Sequence, residues 1–189
     1  MLRQWIVACA LACVAMPAAA QSPQRGVKRG MTVELSGGFA NTEFNSNQGF
    51  PNANGFYASL GINVTQWLQV YGSSSVQYAS VFNGNTRLFG DHIGARFYYR
   101  PRYFKINPFG EVLAGASRLD LNVTTPPQKF SDHGFSFKVG GGLDLNLDSH
   151  WAVRAINVDY YRTPFFQLHQ NNIWIAAGII FKFGERRYP

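Results

Sequence analysis

The sequence predicts an all-β chain: an eight-stranded antiparallel up-and-down barrel that crosses a membrane with its strands. Three observations lead there. Only 14% of the 189 residues are charged, while 15% are aromatic and 19 are glycine; a soluble domain carries about 25% charged residues. After residue 20 no run of 18 apolar residues exists, so a membrane-spanning helix is excluded. Eight segments instead alternate at a period of two, the mark of strands with one greasy and one polar face.

Residues 1–20 are expected to be removed. Arg3, the apolar stretch Trp5–Val14 and the small residues Ala18 and Ala20 have the order of a secretory signal peptide. Ala10-Leu11-Ala12-Cys13 loosely resembles a lipoprotein signal, but the Ala-x-Ala site behind it is the better cleavage point. Both cysteines, Cys9 and Cys13, fall in this segment. The remaining 169 residues have no thiol and, with sixteen basic and ten acidic residues, a net charge of +6. Disulfides and thiolate chemistry are thereby excluded.

Four strand segments are plain. Phe135–Leu147 sets Phe135, Phe137, Val139, Leu143, Leu145 and Leu147 against Ser136, Lys138, Gly140, Gly142, Asp144 and Asn146. Residues 173–183 set Ile173, Ile175, Ala177, Ile179, Phe181 and Phe183 against Trp174, Ala176, Gly178, Ile180 and Lys182. Gly55–Val64 and Leu68–Tyr78 alternate in the same way. Four others are less regular. Met31–Asn41 places Glu34 opposite Val33 and Leu35; Leu88–Tyr99 leaves Asp91 on the apolar side, as expected near a strand end. Pro108–Asp120, with Glu111 inside it, shows no clear faces. Trp151–Arg162 cannot hold Arg154 and Asp159 on one face without a bulge.

The connections alternate too. Segments 42–54, 79–87, 121–134 and 163–171 are long, while 65–67 and 148–150 are short and 100–107 is intermediate. Long loops at one rim and short turns at the other are the layout of an outer-membrane barrel. The long segments are rich in loop formers, and Thr124-Thr125-Pro126-Pro127 is expected to end a ladder. Aromatic residues gather near both rims. Trp67, Tyr98, Tyr99, Phe104, Trp151, Phe181 and Phe183 lie toward the short turns. Phe39, Phe44, Tyr78, Phe82, Phe130, Phe135, Tyr160, Tyr161, Phe165 and Phe166 lie toward the long loops. Two belts match the girdles of a membrane barrel. A soluble barrel of lipocalin type also alternates, but 14% charge is too little to cover its outside.

With these features, and on the stretches Pro108–Ala116, Gly140-Gly141-Gly142-Leu143-Asp144 and Ala176–Gly184, the chain resembles the small outer-membrane β-barrels of OmpA/OmpX type. The resemblance covers residues 31–184, the barrel domain, flanked by a periplasmic tail at 21–30 and a short tail at 185–189. It implies a monomeric Gram-negative envelope protein in contact with outer-membrane lipid and inserted by the barrel assembly machinery. The terminal aromatic, Phe183, is followed by Gly184-Glu185-Arg186-Arg187-Tyr188-Pro189, so the assembly signal is expected to be internal. A peptidoglycan-binding domain after the barrel, as OmpA-type proteins often carry, is not expected.

An eight-stranded barrel is just wide enough for its own side chains. The expected inward charged and polar groups are Glu34, His92, Arg96, Glu111, Lys138, Asp144, Arg154 and Lys182, and a plug of paired charges is the arrangement that avoids unpaired buried charge. The alternative is a narrow pore. Four histidines (His92, His133, His150, His169) match no metal spacing, and no cofactor motif is present. A lipid-modifying enzyme, the third reading, would look to His133 with Asp132 or Ser136. Gly140-Gly141-Gly142 precedes a strand rather than a helix, so it is not a phosphate loop. Basic residues at Arg25-Lys28-Arg29, Arg100-Arg102-Lys105 and Arg186-Arg187 are expected to be rim charge near anionic head groups. An exported chain does not meet nucleic acid. The reading is a non-enzymatic membrane barrel of structural or surface-interaction role, whose loop ligand the sequence does not name.

Overall fold

Period-two alternation gives each strand two chemically distinct faces, and eight such strands can shelter every polar face only by closing on themselves. The protein, analysed as a computed structural model, is described over residues 32–44, 52–81, 84–99, 105–124, 127–165 and 168–184. The expected signal peptide and both expected tails lie outside the described residues. Strands β1 (Thr32–Glu43), β2 (Ala53–Asn63), β3 (Leu68–Val81), β4 (Gly84–Tyr98), β5 (Ile106–Thr124), β6 (Pro127–Asn146), β7 (Trp151–Phe165) and β8 (Leu168–Phe183) follow one another. They pair in chain order, and β1 pairs with β8 to close the barrel.

The register fixes the geometry. A row of paired residues leaves β5 at Gly110 and passes Gly141, Val158, Ile175, Asn41, Asn54, Tyr78 and Arg87. It returns to β5 at Asp120, ten residues farther along. A stagger of ten over eight strands, at about 3.3 Å per residue and 4.8 Å between strands, tilts the strands by about 40° and sets a backbone radius of about 8 Å. At that tilt about ten residues per strand cross the roughly 25 Å apolar band.

Face assignments follow the alternation. Leu35, Phe39, Phe56, Leu60, Ile62, Val70, Ile93, Val112, Leu143, Ile156, Val158 and Ile179 are large apolar side chains on the outside, while their chain neighbours Glu34, Ser59, Gln69, His92, Glu111, Asp144, Asn157 and Asp159 are buried. Such an inverted arrangement, apolar outside and polar inside, suits a cylinder surrounded by lipid. Asp91 sits on the outer wall, where its carboxylate accepts a bond from Ser74 Oγ at 2.6 Å. On β7 the register shifts between Arg154 and Asn157, and a matching shift on β6 falls between Leu143 and Asp144. This bulge brings both Arg154 and Asp159 inside. Across from it, a side chain on Gly140 would strike the Val158 carbonyl and the Asp159 carboxylate, and one on Gly142 the Ile156 carbonyl and the Phe109 ring. Glycine at 140 and 142 lets β6 press against the bulged strand.

Two expectations are corrected. The long segments 79–87, 121–134 and 163–171 are largely strand rather than loop: β5 and β6 stay paired up to Thr124 and Pro127, β3 and β4 up to Val81 and Gly84, and β7 and β8 up to Phe165 and Leu168. Their strands continue above the lipid, where water reaches both faces and alternation fades. The aromatic belts are thinner than expected, because Tyr98, Tyr161 and Phe165 point inward and are buried, and Phe44 packs on the inner cluster. Trp67, Tyr99, Trp151 and Phe183 remain outside at the short-turn rim, and Phe39, Tyr78, Phe135 and Tyr160 at the other. Phe130 is exposed but lies high on the β5–β6 extension, opposite Leu121. Phe82, Phe104 and Phe166 are outside the described residues.

The short turns are locked by side chains. Asp148 Oδ1 accepts the His150 and Trp151 N–H groups, both at 2.7 Å, and these two donors, Trp151 first, hold its carboxyl below the usual range. Thr65 Oγ1 accepts the Leu68 N–H at 3.0 Å. The facing assignment carries a direct consequence. Leu143→Arg or Ala177→Arg, mid-wall and toward lipid, should each reduce the stability of the inserted barrel by about 2–4 kcal/mol. Gln128→Arg, exposed above the lipid, should change it by less than about 0.5 kcal/mol. Urea titration of refolded protein in lipid vesicles measures both.

Candidate functional site: the barrel lumen

Inward residues from all eight strands meet in a lumen with no room for bulk water, so each polar group must find a protein partner or a trapped molecule. Formal charges balance: Arg96, Lys138, Arg154 and Lys182 face Glu34, Glu111, Asp144 and Asp159, all eight buried. The pairing follows strand neighbours. Arg96 and Glu111 are opposite on β4 and β5, and Arg96 Nε and Nη2 both lie 2.6 Å from Glu111 Oε2. Asp144 and Arg154 are opposite at the bulge, where Arg154 Nε and Nη2 grip both carboxylate oxygens at 2.9 and 3.2 Å. The Phe109 ring lies between the two guanidinium groups, at 4.5 Å from Arg96 and 5.0 Å from Arg154. Arg96 also covers the Tyr71 ring at 4.2 Å.

The other predicted groups join the same network. Glu34 accepts from Asn63 Nδ2 at 2.8 Å and Gln69 Nε2 at 2.7 Å, and Gln69 Oε1 in turn accepts from Arg96 at 3.2 Å. Tyr98 OH donates to Asp144 at 3.0 Å. Lys182 sits across from Glu34 in the β1–β8 register and donates to Asn146 Oδ1. Lys138 stands apart from the carboxylate pairs, with its ammonium 3.9 Å from the centre of the Trp174 ring and 4.6 Å from that of Tyr161. His92 belongs to a hydroxyl chain: its Nε2 lies 2.9 Å from Ser136 Oγ, which lies 2.6 Å from Ser117 Oγ, itself 2.5 Å from Tyr161 OH.

Toward the ends of the long strands the lumen changes character. Leu88, Leu119 and Phe165 close it, packed with Ala40, Tyr57, Tyr161, Trp174 and Ala176. The filling is therefore ionic toward the short turns, while toward the long hairpins this apolar cluster sits among neutral polar residues such as Thr42, Gln77, Thr163 and Asn172. Sequence reasoning missed this apolar lid, as well as Asp159, Asn157 and the Ser117–Ser136–Tyr161 chain. Placing the β7 bulge at Ala155–Ile156, directly after Arg154, is the step that would turn Asn157 and Asp159 inward.

The alternative catalytic group does not assemble. His133 is exposed on the outer wall, while Ser136, three residues on and of opposite facing, is buried against His92. Asp132 Oδ1 accepts the His133 backbone N–H at 2.9 Å, a contact between chain neighbours within β6. Among the described residues no group of three or more metal-ligating side chains gathers.

Breaking one member of a buried pair strands its partner. Arg96→Met or Glu111→Gln should each destabilise the folded barrel by about 3–5 kcal/mol. The double variant Arg96→Met/Glu111→Gln should cost clearly less than the two summed. Urea unfolding of all three against the parent gives the coupling energy, and additive losses would contradict the pairing.

The comparisons with known proteins agree with this geometry. Neisserial surface protein A aligns at a TM-score of 0.67 with 12% identity, over 81% of this chain and 97% of that one. Ail, the attachment invasion locus protein of Yersinia pestis, aligns at 0.55 with 17% identity, over 82% and 99%. At these identities the likeness is one of fold. No curated protein sequence matches the chain. The model of the outer membrane protein beta-barrel domain matches residues 6–181; the chain belongs to that family and is an integral barrel of the outer membrane.

Proposed function

We propose that this protein is a closed, monomeric surface barrel: residues 1–20 export it, its plugged lumen conducts nothing, and its β5–β6 hairpin is the contact surface. Assembly through the barrel assembly machinery, with β8 and Phe183 as an internal recognition segment, belongs to the same reading. The observation that carries it is the length of that hairpin. The last β6–β7 pair is Phe137 with Arg162, whereas β5–β6 pairing runs on to Thr124 and Pro127. From Phe135 to Pro127 the strand climbs about 20 Å beyond the outer aromatic belt at the tilt given above.

This extension is built to stand in water. Asp120 accepts from Arg118 Nε at 2.8 Å and from Ser131 Oγ at 2.6 Å, a clamp across the two strands. The Ser131 bond first, then Arg118, holds the Asp120 carboxyl below its ordinary value. The clamp therefore contributes fully above about pH 4 and is lost as pH falls through that lowered value. Pro164 packs beside Gly134, where a side chain would meet its ring at 2.7 Å. A proline there shields part of the unpaired β6 edge. Outward on this wall stand the exposed Arg87, Arg118, Lys129 and His133.

Basic outward residues suit an anionic polymer, and one structure of the similar Ail protein is a complex with the heparin analogue sucrose octasulfate, at 18% identity and a TM-score of 0.56. The test uses purified protein in nanodiscs and planar bilayers. Immobilised heparin should retain the loaded nanodiscs well above empty ones, with the Arg118→Ala/Lys129→Ala variant losing at least threefold and Lys105→Ala, at the opposite rim, losing nothing. Bilayers should show no steady conductance. Retention equal to empty nanodiscs would overturn the contact surface, and steady ion-selective channels would overturn the closed lumen.

A further inference from the structure

On the outer wall a carboxylate faces hydrocarbon. Asp91 of β4 is exposed, and by the register and tilt above it lies about 7 Å below the outer-belt residues Phe135 and Tyr78. Its Oδ1 accepts from Ser74 Oγ at 2.6 Å, while its Oδ2 meets no donor among the described residues. Carboxylates inside the apolar band are costly and rare, and they mark functional positions. Above Asp91 opens a depression of about 360 Å³, lined by Phe89, Asp91, Ala116, Arg118, Asp120 and His133, a volume within the range of ligand clefts. Ala116, opposite Asp91 on one side and Phe135 on the other, is small, so the wall dips there. Arg118 and His133, opposite each other on β5 and β6, lie within about 5 Å above the belt. We propose that this depression binds one membrane lipid of defined chemistry: its phosphate faces Arg118 and His133, and an amide or hydroxyl donor at the root of its chains meets Asp91.

The vertical order of charge selects this ligand. Arg118 gives its Nε–H to Asp120 at 2.8 Å, which leaves the four hydrogens of its terminal nitrogens for an anion. Asp120 is opposite Arg87 and bonded to Arg118, so the upper part of the depression carries net positive charge, as a phosphate requires. The Asp91 carboxylate, about 9 Å below Arg118, is an acceptor. An ester-linked lipid has only carbonyl acceptors beneath its phosphate, and these would face Asp91 acceptor to acceptor. An amide-linked lipid carries an N–H at that depth and answers Oδ2. Water does not take this place, because Asp91 lies below the belt. Next down the wall, the exposed Ile93 and Ala114 give the chain an apolar track. The inference goes beyond the contact surface proposed above and does not depend on it, since Asp91 and the track lie below the reach of a soluble polymer.

The test is native mass spectrometry of the chain from Gln21 onward, released from detergent micelles holding equal amounts of ceramide 1-phosphate and phosphatidate of matched chain length. Both are phosphate monoesters, but only the first has amide and hydroxyl donors at its chain root. The parent should carry ceramide 1-phosphate at least fivefold over phosphatidate. Asp91→Ala should bring that ratio within twofold of one while phosphatidate binding stays. Arg118→Ala/His133→Ala should lower binding of both lipids at least fivefold, and Lys105→Ala, exposed at the opposite rim, should lower neither. Heat-dependent gel mobility checks that each variant is folded. Equal binding of the two lipids by the parent, or a preference that survives in Asp91→Ala, would overturn the site. A lipid-free dimer that Asp91→Ala abolishes would overturn it in favour of a second copy on the same wall. Failure of the contact surface would show separately, as loss of heparin retention with the lipid preference intact.

Discussion

The width of the cylinder is the constraint on which the rest depends. Eight strands at a stagger of ten leave an interior that side chains fill and bulk solvent does not. Lipid outside demands apolar residues on one face of every strand, so the polar residues that keep such a chain soluble on its way to the membrane are sent inward. Once inside, they are too crowded to remain hydrated separately. Four cations and four carboxylates in this space are tolerable because strand neighbours put opposite charges side by side, as with Arg96 beside Glu111 and Arg154 beside Asp144.

The bulge on β7 shows how backbone irregularity serves that balance. Without it, Arg154 and Asp159 would face opposite ways, and one of them would meet hydrocarbon. The shift after Arg154 turns the outer half of β7 so that Asn157 and Asp159 join Arg154 inside. Asn157 Nδ2 then donates to Glu111 Oε1 at 2.7 Å, tying the β4–β5 ion pair to the β6–β7 one. Glycine at 140 and 142 gives the bulged strand its space. One local defect thus connects the two halves of the ionic core.

Much of this was legible in the sequence, and the failures have physical causes. Where a strand has lipid on one side and charged lumen on the other, as in residues 173–183 or Gly55–Val64, parity alone assigns the faces. β5 shows no clear faces because its lumen side carries Phe109, Leu113 and Leu119, apolar residues that pack on the guanidinium groups and in the lid; both faces are then largely greasy and only Glu111 and Ser117 mark the inside. The outer hairpins read as loops because both faces of Pro127–Phe135 meet water, so polar residues occur at both parities. Tyr98, Tyr161 and Phe165 were placed in the belts because composition near a rim says nothing about facing; parity with Arg96 and Asp159 would have turned Tyr98 and Tyr161 inward. The pairing of Ser136 with His92 joins residues 44 apart in the chain, and no local pattern announces it.

The central claim is that lipid wets one face of each strand and packed side chains the other, with no continuous water between. Because Cys9 and Cys13 are the only cysteines, a chain beginning at Gln21 accepts single nitroxide labels without background. A label scan along residues 173–183 of β8, read by electron paramagnetic resonance in vesicles, tests the claim most directly. Odd positions should collide freely with oxygen and not with a water-soluble nickel complex, and even positions should be immobile and shielded from both. Collisions with the nickel complex at the even positions would mean a water-filled channel, and at the odd positions a barrel that is not in the membrane; either result contradicts the account.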